Sequence, residues 1–257
     1  CTTIFMPTLT NAFPTLFGLV LAFLILAWLS RRISLHVQTL AYYATRSIDL
    51  ATVVLFLLLL PGIILHEGAH WLTARLLGLK TGKFRVWPKP QGKQIRMGSV
   101  SVQRGNLWQD SLVGLAPLLI GSLLLVWISQ RVFFAYAISS AFLQGQWLQG
   151  LQTFRTALSE PDGILWTYLL FAIGNAMMPS ASDREPLRPL SLYVIFSALI
   201  YVVVGLPMGP LASALDWLLP IVQDLTSAFV FTILLDGVIL LVLYLLTALI
   251  APRASST

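Results

Sequence analysis

Six runs of roughly twenty apolar residues, at about 12–30, 50–72, 111–130, 163–181, 190–207 and 226–250, leave this chain few ways to fold outside a lipid bilayer. A helix of that length covers about 30 Å and closes its own backbone hydrogen bonds, which is the condition for crossing hydrocarbon. Only 10% of the residues are charged, against about a quarter in soluble domains. The expected fold is therefore an all-α polytopic membrane protein of about six transmembrane helices, one membrane domain over residues 1–257. The single cysteine, Cys1, excludes disulfides within the sequence, and the first apolar run is expected as a retained helix rather than a signal-peptide core.

The net charge of +6 reads as orientation in the membrane, with the lipid bilayer as partner and no nucleic acid. Half of the 16 basic residues fall between Arg75 and Arg104. With six spans, that segment shares a side with Arg184, Arg188 and Arg253, and the positive-inside rule places this side in the cytoplasm.

Polar chemistry is concentrated at one point. Ala51 to Leu65 carries no charge, and His66-Glu67-Gly68-Ala69-His70 follows directly. On a helix, His66 and His70 lie four apart and share a face, so both can hold one metal ion. Glu67 is offset by one position, where its carboxylate can take a proton from a water molecule. This is the H-E-x-x-H pattern of zinc hydrolases, and Zn2+ suits a His/His/carboxylate set with an open position. Ionisable residues inside a membrane are costly unless they serve a function. His36 reads instead as a headgroup-level histidine in an amphipathic connector, Arg31 to Arg46.

A third ligand is required. Two carboxylates are placed for it: Asp183, beyond a helix-breaking Pro179, and Asp236, about ten residues into the last apolar run. Spans two and four run in the same direction, so their ends share a membrane face. Asp183 is favoured on that ground, with Asp236 as runner-up.

Past the motif helix the pattern changes period. Phe84 and Val86, Ile95 and Met97, and Val100 and Val102 alternate around Pro88-Lys89-Pro90-Gln91-Gly92, which predicts a basic β-hairpin over about 80–104. It can rest on anionic lipid or pair its edge with an extended substrate segment. Residues 131–162 are expected as a surface or re-entrant helix pair.

Taken together, these residues resemble the site-2 protease family of intramembrane zinc metalloproteases (peptidase family M50). His66-Glu67-Gly68-Ala69-His70 matches the family's first motif. Asn175 and Asp183 match the eight-residue spacing of its second, with a proline between them. The hairpin resembles its membrane-associated β-loop, and Gly114-Leu115-Ala116-Pro117-Leu118-Leu119-Ile120-Gly121 its small-residue helix. The likeness covers about residues 50–190, with 190–250 as two extra helices. Here Asp183 is followed by Arg184 where the family has glycine, Pro179 is displaced by one position, and a literal Leu235-Asp236-Gly237 stands elsewhere. The resemblance implies a zinc metalloendopeptidase that cuts a transmembrane protein or peptide substrate within or near the bilayer. Glu67 would be catalytic, with His66, His70 and Asp183 as ligands and Asn175 steadying the oxyanion or the substrate backbone. The alternative is an inactive metal-binding or transport protein built on the same helices.

Overall fold

A computed structural model describes residues 5–85, 87, 89–91, 94–96, 99–159 and 161–250. Val86 and Met97 of the alternating pattern, and the Arg253 tail, lie outside them. The first helix, α1 (Phe5–Thr45), runs for 41 residues, about 60 Å. It continues through the Arg31–Arg46 segment because no glycine or proline interrupts that stretch. The paired arginines there therefore do not end the helix. It stops at Arg46, which adopts a positive φ of 55°.

The second apolar run is a broken helix. α2 (Ile48–Leu58) and α3 (Leu60–Leu76) meet at a bend of 75°. Pro61 lies at the start of α3 and has no N–H to offer Leu57 four residues back, which explains the break. The H-E-x-x-H residues all lie on α3.

Four short strands follow: β1 (Thr81–Arg85), β2 (Lys89–Gln91), β3 (Gln94–Arg96) and β4 (Ser99–Val102). β1 pairs antiparallel with β4 and β2 with β3, so the expected hairpin is present as two nested pairs. The register shifts between Thr81 and Phe84.

α4 (Leu107–Arg131) opens on a capping box, with Asn106 and Gln109 bonding each other's backbone N–H at 2.9 Å. Gln109 also donates to Leu77 O at 3.1 Å, tying the start of α4 to the end of α3. α5 (Ala135–Leu143) and α6 (Trp147–Leu158) form the helix pair expected over 131–162. α7 (Gly163–Ala176), α8 (Ala181–Arg184), α9 (Leu187–Val203) and α10 (Gly209–Ile250) complete the described chain.

Among the described residues, four helices are long and apolar enough to cross a membrane, or five if the bent α2–α3 pair counts as one span. The run at 163–181 differs from a full span: α7 has 14 residues, about 20 Å, and ends before Pro179. The last run begins earlier than its apolar core, because α10 absorbs 209–225 and carries Pro220 inside it.

The core lies where α1, α4, α7 and α10 converge, around Leu26, Leu125, Leu170 and Phe231. α9 has no buried residue and presents Leu192, Ile195, Phe196 and Leu199 outward. An apolar face of this kind on a long helix suits lipid contact.

Candidate metal centre

Two glycines let backbone segments close up around α3. A methyl group on Gly62 would overlap the Ala172 carbonyl of α7, so α3 and α7 touch backbone to backbone. On α4, a Cβ at Gly114 would lie 2.5 Å from the Asp183 carbonyl oxygen. Glycine at 114 is what lets the segment carrying Asp183 settle on α4 beside α3.

The three expected ligands meet there. His66 Nε2 lies 3.2 Å from His70 Nε2, and Asp183 Oδ2 and Oδ1 lie 3.6 and 3.3 Å from them respectively. Ligand atoms of all three fall within 4.8 Å of one another. Ligands at zinc distances of about 2.0–2.1 Å in a tetrahedron are separated by about 3.3 Å, so the spacing fits one ion. The donor chemistry fits as well. Val113 O can only accept, so His70 donates from Nδ1 at 2.8 Å, and in the neutral ring its Nε2 carries a lone pair. That lone pair faces a second imidazole nitrogen and a carboxylate, an arrangement that a cation relieves. Among the described residues this is the group able to hold a metal ion.

Backbone irregularities supply the supporting bonds. Pro117, inside α4, lacks the N–H that would bond Val113 O, and His70 uses that freed carbonyl. Asp183 is fixed by a small capping box: Ser180 N donates to Asp183 Oδ2 at 2.7 Å, and Asp183 N to Ser180 Oγ at 3.3 Å. Ser111 Oγ donates to Pro186 O at 3.0 Å, holding the following turn on α4. The Ser180-x-x-Asp183 spacing and the Val113–Pro117 offset are signals a sequence carries. Their significance depends on knowing which helices meet.

Asp236 is separate from this group. It is fully buried on α10, and both its oxygens accept from Asn175 Nδ2, at 3.2 and 3.1 Å. Asn175, at 6% exposure, also donates to Phe171 O at 3.0 Å. Pro179 leaves the Asn175 carbonyl without its helical donor, and Ser30 Oγ of α1 supplies one at 3.2 Å. His36 lies away from the site, bonded to Thr247 of α10 at 3.2 Å and edge-on to Tyr244.

A cavity of about 790 Å³ opens on the group. His66, Glu67, His70, Asn175 and Asp183 line it, and Val102 at the end of β4 forms part of its wall. No protein-family model matches the chain, and neither a curated protein nor a solved structure matches it.

Proposed function

We propose that this chain is a zinc metalloendopeptidase that hydrolyses peptide bonds of membrane-protein substrates within or near the bilayer. The observation that carries the reading is Glu67 in the wall of the same cavity as the convergent His66, His70 and Asp183. Three protein ligands leave a fourth position for solvent or substrate. Bound zinc would supply Lewis-acid polarisation of the scissile carbonyl and bring water near neutral acidity. Glu67 is the general base: it takes the proton of the attacking water and delivers it to the leaving amine.

A transmembrane substrate hides its carbonyls in its own helix and must open before it is cut. The hairpin supports that step, because β4 runs to the cavity wall and an extended segment beside it would regain backbone hydrogen bonds. If α7 serves as a short sixth span, the positive-inside rule puts the basic hairpin and the metal group toward the cytoplasm.

Cleavage of a co-reconstituted single-span peptide in liposomes tests this reading. The wild-type chain cuts the peptide when zinc is supplied, and Glu67→Gln binds zinc but does not cut. Full activity in Glu67→Gln would remove the proposed base. Zinc binding without cleavage in either form would favour an inactive metal-binding or transport protein.

A further inference from the structure

From Gly68 to Gln109 the sequence holds half of the chain's 16 basic residues and no carboxylate side chain. Part of this charge stands beside the metal centre. β1 and β4 are the two strands of one sheet, and Gln103 N donates to Lys80 O at 2.9 Å, which puts Lys80 level with the end of β4. Val102, Gln103 and Arg104 line the cavity there. Trp87 lies edge-on to the buried Phe56 of α2, with ring centroids 5.5 Å apart. That contact holds the hairpin against the helix whose Leu55 lines the same cavity. Lys80, Lys83 and Arg104 are exposed and form no ion pair among the described residues.

Neither zinc binding nor the general base uses these cations. A cluster of one sign beside a cleft attracts the opposite charge and rejects its own. Anionic lipid would meet the hairpin wherever it touches the bilayer, and it leaves the cations at the cavity end of the sheet without a purpose. A peptide leaving the cavity along β4 passes them directly. The carboxylates of the cavity wall come from other elements. Glu67 and Asp183 belong to the metal centre, Asp110 accepts from Gly105 N at 2.8 Å, and Glu185 follows α8. Membrane spans ordinarily carry Lys and Arg at their cytoplasmic ends, the side to which the charge distribution assigns the hairpin. A flank of that kind is repelled here. Resting on the peptidase reading, we infer that the substrates are spans whose flank on the metal side is acidic, and that Lys80, Lys83 and Arg104 discriminate against basic flanks.

The probe is a labelled Leu/Ala-rich peptide of membrane-spanning length with a central glycine pair and a short flank of Glu, Gln or Lys. The flank is placed at either end in separate peptides. Binding is measured to the zinc-loaded full chain carrying Glu67→Gln, in zwitterionic bicelles. At low salt, in one placement, the Glu flank is expected to bind about tenfold more tightly than the Lys flank, as several exposed charge pairs together would give. Raising the salt to about 0.5 M should bring that ratio below about twofold. Adding Lys80→Gln, Lys83→Gln and Arg104→Gln together should lower the low-salt ratio at least about threefold. If that triple variant loses its zinc or its fold, Arg104→Gln alone decides, with a change in the same direction expected. Equal affinity for all flanks, a preference for Lys, or a ratio that the substitutions leave intact overturns the inference alone. Equal affinities with co-purified phosphatidylglycerol that the triple variant loses would assign the cations to lipid and overturn it as well. Failure of every peptide to bind overturns it together with the peptidase reading.

Discussion

Pro117 and Pro179 each lack the N–H that would close a helical bond four residues back, so the carbonyls of Val113 and Asn175 are left for other donors. His70 takes the first and Ser30 the second. The His70 bond sets the imidazole tautomer and with it the direction of the Nε2 lone pair, as supporting partners of metal ligands do. Pro117→Ala returns an N–H to compete for Val113 O. Its zinc dissociation constant, measured against a chelating dye, should rise about tenfold, the lower end for loss of such a partner. An unchanged constant would mean that the second lone pair of the carbonyl serves His70 equally well.

Helix contacts decide whether these residues meet at all. Two close approaches between elements are made by glycines, Gly62 against Ala172 and Gly114 against Asp183. Gly62→Ala forces α3 away from α7 and should cost about 1–3 kcal/mol, the range for overpacking. The readout is the thermal unfolding midpoint. Gly18→Ala on α1, with open space around it, serves as the control and should leave the midpoint unchanged or raise it slightly. Equal midpoints for the two variants would contradict the backbone contact. The H-E-x-x-H helix and the hairpin were legible because both are local patterns, one of period 3.6 and one of period two. The ends of α1 and α10 were not, since charges such as Arg31 and Arg32 stop an apolar run without stopping a helix. The 75° bend at Pro61 and the short α7 before Pro179 follow from single prolines, yet their angle and depth depend on packing that no local window contains. Asp183 was legible as a candidate from spacing. The engagement of Asp236 by Asn175 was not, because 61 positions separate them.

Among the described residues, a bundle of long apolar helices encloses the His66–His70–Asp183 group and, apart from it, the Asn175–Asp236 pair, while α9 is exposed along its length. The charge distribution predicts that the hairpin side faces the cytoplasm. With Cys1 replaced by Ser, a cysteine placed at Lys83 should react with a membrane-impermeant maleimide only after the membrane is opened. Labelling in sealed cells would reverse the orientation. The central claim is that His66, His70 and Asp183 form the metal centre while Asp236 serves another purpose. Metal content of the purified chain tests it most directly, comparing wild type with Asp183→Ala and Asp236→Ala. About one zinc per chain is expected in wild type and in Asp236→Ala, and little in Asp183→Ala. Zinc retained by Asp183→Ala and lost by Asp236→Ala would contradict the account.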